Sequence, residues 1–127
     1  AGVRGSCLCG AVRWETEAAP IRTVACHCRQ CRRQTGHFLA SMQVPTAALR
    51  VAGGPRWFHA SEEVRRGFCP ACGSVLFWDE EAGRTTYVAL GSVDGPTGLR
   101  IERHIFVEEK GDYYDIPAGE PAREGDG

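Results

Sequence analysis

No apolar run in this 127-residue chain approaches the ~20 residues that a helical membrane span requires, so that class of protein is excluded. Residues 1–6 also lack the apolar stretch of a secretory signal, and a reducing, cytoplasmic setting is expected. Charge of one sign is missing: 15 Lys and Arg against 16 Asp and Glu leave a formal charge of -1, so no global field draws the chain to nucleic acid or membrane. There is no internal repeat and little helical periodicity. What is present is ordinary for one globular domain, 43% hydrophobic and 24% charged residues, enough to bury roughly two thirds of the unfolded surface. The exception is cysteine. Seven thiols are an odd number and cannot all pair as disulfides.

β-rich or alternating stretches predict strands over 10–16, 21–25, 37–44, 56–60, 64–68, 74–78, 85–90 and 101–108. Turn signals such as Ala52-Gly53-Gly54-Pro55 and Asp94-Gly95-Pro96 separate them, the pattern of an all-β domain. Helix is expected only over 30–35, ended by Gly36, with a single turn at 46–49 after Pro45. Pro, Gly, Glu and Asp prevail from Pro117 onward. The domain is therefore drawn at residues 1–116, followed by a flexible tail at 117–127.

The cysteines form three clusters: Cys7-Leu8-Cys9, Cys26-His27-Cys28-Arg29-Gln30-Cys31 and Cys69-Pro70-Ala71-Cys72. CxC and CxxC spacings suit one ion better than a disulfide, and four plus three is the natural partition. Cys7, Cys9, Cys69 and Cys72 would close a structural zinc site that ties the N-terminus to mid-chain. Disulfides or unrelated buried thiols are the alternative. Cys26, Cys28 and Cys31 offer a second zinc only three thiolates, leaving one coordination position open. An ion already carrying sulfur is a modest Lewis acid, better at holding another thiolate than at making hydroxide. A thiol substrate follows. The competing reading is a second closed site completed by His27, His37, His59 or His104.

Arg29, Arg32 and Arg33 lie among or just after these ligands and can hold substrate carboxylates, such as the two of glutathione, or form a solvated face. Arg66, near Cys69, is expected to donate to sulfur at the four-cysteine site. Without its ion, Cys28 is a candidate for mixed-disulfide formation with a thiol.

The combined pattern resembles the family named for the glutathione-dependent formaldehyde-activating enzyme, to which centromere protein V also belongs. The segments that carry it are Gly5-Ser6-Cys7-Leu8-Cys9-Gly10-Ala11-Val12, Cys26 to Arg32 with Gly36, Arg66-Gly67-Phe68-Cys69-Pro70-Ala71-Cys72-Gly73-Ser74, His104-Ile105-Phe106-Val107 and Asp112-Tyr113-Tyr114-Asp115-Ile116. The resemblance implies an all-β fold of the β-tent type, several short antiparallel strands organised around zinc. It also implies a structural zinc on Cys7, Cys9, Cys69 and Cys72, and a second zinc on Cys26, Cys28 and Cys31.

The associated activity is that of a carbon–sulfur lyase, joining glutathione to formaldehyde or a related small aldehyde to give S-(hydroxymethyl)glutathione. Catalysis is then expected to run through Cys26, Cys28 and Cys31 by way of the second zinc, the one expected to be less than fully loaded. Arg32 is the first candidate for contact with a substrate carboxylate. The rival reading is a zinc-stabilised module that binds nucleic acid or protein without catalysis. Near-neutral charge and the lack of aromatics between the arginines disfavour nucleic acid. A homodimer is left open.

Overall fold

The computed structural model describes residues 2–126. Among them the chain forms β1 (Val3–Ser6), β2 (Arg13–Thr16), β3 (Arg22–Cys26), α1 (Arg29–Thr35), β4 (Leu39–Pro45), β5 (Leu49–Ala52), β6 (Arg56–His59), β7 (Val64–Phe68), β8 (Val75–Glu80), β9 (Thr85–Ala89) and β10 (Arg103–Ile105). The architecture is all-β with little helix, as expected. No helix among the described residues is long and apolar enough to cross a membrane.

Two sheets result, one ordered β1-β2-β5 and the other β10-β3-β4-β9-β8-β7-β6. Strand alternation decides what each face does. Trp14, on β2, is buried at 2% exposure and packs with Val12, Met42, Val44, Phe77 and Val88 in a core shared by both sheets. Its ring needs the space opposite, where Gly5 pairs with it across β1; a Cβ on Gly5 would stand 2.4 Å from the indole and 2.2 Å from the Ser92 carbonyl oxygen. The indole Nε1 donates to Ser92 Oγ at 2.9 Å. Cys7 and Cys69 belong to the same core, so the four-cysteine cluster is an extension of the packing between the sheets.

The pairs in the larger sheet are antiparallel except for β10 on β3, which runs parallel. The strand predicted over 101–108 shortens to Arg103–Ile105 because Phe106 takes a left-handed φ of 55°, which ends extended pairing. Two strands go beyond the sequence-based expectation. β1 has no alternating pattern, and the turn predicted at 46–49 is a 3-10 turn over Thr46–Ala48 that delivers Leu49 into β5. The segment after Pro117 has too little apolar surface to form a core of its own. It lies beside β10 through main-chain bonds, His104 N–H to Pro121 O and Arg123 N–H to His104 O at 2.8 Å each, and Arg22 meets Asp126 at 2.6 Å.

The single helix is fixed by its ends. Cys28 is the N-cap, its Sγ accepting from Cys31 N–H at 3.3 Å. Gly36 closes it in the left-handed region at φ 82°, donating its N–H to Arg32 O, the termination that glycine favours.

Candidate metal centres

The CxC turn and the CxxC turn face each other as equivalent devices. Gly10 N–H returns to Cys7 O at 3.1 Å and Gly73 N–H to Cys69 O at 2.8 Å, with φ of 81° and 78° at the two glycines. Backbone N–H groups point at the sulfurs, Val12 at Cys7 (3.3 Å) and Cys72 at Cys69 (3.5 Å), the kind of hydrogen bonding that supports a sulfur ligand. Cys7 and Cys9 sulfurs are 3.6 Å apart, and Cys9 and Cys69 sulfurs 3.8 Å. A tetrahedron built on metal–sulfur bonds of about 2.3 Å has edges of about 3.8 Å. The donor set therefore fits one four-coordinate ion, with no side left for a substrate. Ser74 serves both turns: its Oγ accepts from Leu8 N–H at 2.9 Å and lies 3.1 Å from Cys72 Sγ. Hydrogen bonding from the Ser74 hydroxyl, with further backbone bonds from Ser74 and Cys9, holds Cys72 down to about 5.

The second cluster is assembled where β3 runs into α1. Cys26 ends the strand, Cys28 caps the helix and Cys31 lies in its first turn, so three sulfurs converge within 4.8 Å of one another. Cys28 is the thiol of the three that is held lowest. Hydrogen bonds from the Cys26 and Cys31 thiols, Cys31 N–H and the nearby Arg66 charge bring it down to about 2, while the sulfurs of Cys28 and Cys31, with burial, push Cys26 up. Both clusters can thus hold metal ions, but this one lies on a cleft. Cys26, Cys28 and Cys31 line a cleft of ≈ 550 Å³ on the outer face of the larger sheet, floored by Val24, Trp78 and Tyr87; none of the other four cysteines lines it.

The arginines are distributed differently from the sequence-based expectation. Arg66 does not serve the four-cysteine cluster. Its guanidinium lies 3.5 Å from Cys31 Sγ through both Nη1 and Nη2, and 3.9 Å from Cys28 Sγ. Strand alternation explains it: Gly67 faces Phe77 and Trp57 in the core, which turns Arg66 to the opposite face beside Trp78. Arg32, half-buried, donates from Nε to Glu109 O at 3.3 Å and does not line the cleft, whereas Arg29 does. Arg33 is exposed. Glu109 also accepts from Arg29 N–H at 2.8 Å, so the segment after β10 braces the start of α1.

None of the four histidines joins either sulfur cluster among the described residues. His27, fully buried between two of the cysteines, turns away from them, with Nδ1 2.5 Å from Tyr114 Oη and Nε2 2.8 Å from His104 Nδ1; His104 Nε2 is 2.7 Å from Glu120 Oε1. One proton assignment satisfies every partner with both rings neutral. Tyr114 donates to His27, His27 to His104, and His104 to the Glu120 carboxylate. Burial, then the repulsion that a charged ring would meet from His104, His37 and Lys110, depresses His27 to about 4. The spacing of these residues in the sequence gave no sign of this chain of four.

Residues 2–109 match the family described as glutathione-dependent formaldehyde-activating enzyme. Among solved structures, the chain is similar to a crystal structure of a Rhodobacter sphaeroides protein, with 24% identity, a TM-score of 0.63, and coverage of 75% of this chain and 91% of that one. At that identity the likeness shows the fold. No curated protein matches the chain. With the match running from β1 through the segment that braces α1, and both cysteine clusters inside it, the chain belongs to the glutathione-dependent formaldehyde-activating enzyme family.

Proposed function

We propose that the protein is a zinc-dependent carbon–sulfur lyase that joins a thiol, glutathione in the first instance, to formaldehyde or a related small aldehyde, giving S-(hydroxymethyl)glutathione or an analogue. Two zinc ions per chain are the fitting cofactors, Cys7, Cys9, Cys69 and Cys72 holding the structural one and Cys26, Cys28 and Cys31 the second. Zinc in the second site would keep an incoming thiol deprotonated near neutral pH and still nucleophilic.

The chain's own residues do the rest. The three cysteines fix the approach direction by occupying one side and leaving the cleft side free. Arg29, at the cleft margin and with its main chain held by Glu109, is placed to meet a substrate carboxylate. The Val24, Trp78 and Tyr87 floor gives the thiol's body an apolar and aromatic surface. In the forward reaction a C–S bond forms, the carbonyl π bond breaks, and the proton lost by sulfur equals the one gained by oxygen. No oxidant or reductant is required. A cytoplasmic location suits the free thiols.

The single observation that carries this reading is the unequal placement of the two clusters: Cys7 and Cys69 are buried in the core with Cys72 packed against it and Cys9 at the surface, whereas Cys26, Cys28 and Cys31 all line one cleft. The test is consumption of formaldehyde with glutathione by the zinc-loaded protein. A rate above the spontaneous reaction, lost in Cys28→Ser, is expected; a rate equal to the spontaneous one rejects this substrate pair.

A further inference from the structure

Arg66 is 3% exposed, and none of the ion pairs among the described residues includes it. A buried guanidinium without a carboxylate is costly unless some other negative charge answers it. Here the answering atoms are sulfur. Nη1 and Nη2 both converge on Cys31 Sγ, Nη2 also reaches toward Cys28 Sγ, and the remaining donors are taken by Gln30 Oε1 (3.1 Å, from Nε) and Gln34 Oε1 (2.9 Å, from Nη1). Gln30 and Gln34 both belong to α1, the helix that carries Cys31. The two glutamines therefore aim the fork of β7 at the sulfurs.

Resting on the proposed function above, we propose that Arg66 is a positioning residue that sets how readily the three-cysteine centre accepts a fourth thiolate, through its charge and its hydrogen bonds to Cys31 and Cys28, without touching the substrate. The charge arithmetic is direct. A divalent ion with three thiolates is formally -1, and Arg66 brings the assembly to neutrality. An incoming thiolate then meets a neutral centre instead of an anionic one. Hydrogen bonds to sulfur also withdraw electron density from Cys31 and Cys28, so the ion binds the newcomer more strongly. The four-cysteine centre has no arginine within hydrogen-bonding distance of its sulfurs among the described contacts. A centre that needs no further ligand needs no such cation.

The test uses the full chain loaded with cobalt(II), titrated with glutathione and separately with 2-mercaptoethanol. The sulfur-to-cobalt charge-transfer absorption is followed in the wild type, Arg66→Met and Arg66→Lys. Loss of a charge-assisted bond of this kind predicts about 10- to 100-fold weaker thiol binding in Arg66→Met. The factor should be the same for both thiols, with most of the loss restored in Arg66→Lys. Gln34→Leu, which keeps the charge but loosens its aim, is expected to show a smaller loss in the same direction. It decides the matter should Arg66→Met fail to load cobalt.

Equal affinity in the wild type and Arg66→Met, or in the wild type and Gln34→Leu where that variant is decisive, overturns the proposal and leaves the lyase reading standing. A loss confined to glutathione also overturns it, since that marks a direct carboxylate contact. A wild-type spectrum indifferent to both thiols removes the fourth position itself, and with it both readings.

Discussion

Replacing one cysteine in each centre should have unequal consequences, because an ion in each would restrain the chain over different lengths. Cys9 and Cys69 are 60 positions apart, and by the chain-entropy relation for a cross-link a tie of that span stabilises the fold by about 4 kcal/mol. Cys26 and Cys31 are five positions apart, and the same relation gives only about 2 kcal/mol. Cys69 is in addition fully buried among Leu76, Phe77 and Val88, where a serine hydroxyl lacking the ion would cost a further ~1–3 kcal/mol. Against a total stability of about 5–15 kcal/mol for a domain, Cys69→Ser is expected to lose cooperative unfolding or most of its soluble yield. Cys28→Ser should keep a cooperative transition, with its Tm no more than about 5–10 °C below the wild type, while retaining one zinc per chain. Thermal unfolding followed by circular dichroism, with metal analysis on the same samples, reads both. A Cys69→Ser protein with wild-type Tm, or a Cys28→Ser protein as damaged as Cys69→Ser, would refute the reasoning.

Arg29 lines the cleft and Arg32 is turned to Glu109, so Arg29→Ala should raise KM for glutathione several-fold while Arg32→Ala changes it little; steady-state kinetics with the reverse ranking would restore Arg32 as the substrate contact. His27 is depressed to about 4 by burial, and the unfolded ring titrates near pH 6.5. Between those values the unfolded chain binds more protons, so this contribution to stability is complete above pH 6.5 and is lost as pH falls toward 4. Nuclear magnetic resonance of the His27 ring should show it neutral at pH 5.5, and a midpoint at or above 6 contradicts the neutral chain from Tyr114 to Glu120. Gly5→Ala puts a methyl 2.2 Å from the Ser92 carbonyl oxygen and 2.4 Å from the Trp14 ring; a destabilisation of about 1–3 kcal/mol or more is expected, and a denaturation midpoint unchanged from the wild type would show that β1 moves freely.

Much of this was legible in residue order because the signals are local. CxC and CxxC spacings bring sulfurs together wherever the turns fold, and the four-plus-three division follows from counting. The helix over 30–35 was readable from Gly36, and its actual start at Arg29 comes from Cys28 acting as cap. What escaped depends on distant partners. β1 exists because Gly5 admits Trp14 and pairs with β2, not because Val3-Arg4-Gly5-Ser6 has a strand pattern. The parallel pairing of β10 with β3 brings His104 to His27 across 77 positions. Arg66 misled for a related reason: nearness in sequence to Cys69 suggested one centre, while the two faces of β7 assign it to the other.

X-ray absorption at the zinc edge, combined with elemental analysis of the same sample, tests the inequality of the two centres most directly. Seven sulfurs in two clusters that could each hold an ion predict, on the proposed function, two zinc per chain and an average of about 3.5 sulfur neighbours at about 2.3 Å, rising to about 4 when glutathione is added. A folded protein holding no second ion, or a fourth ligand of histidine nitrogen that glutathione does not displace, would contradict the account.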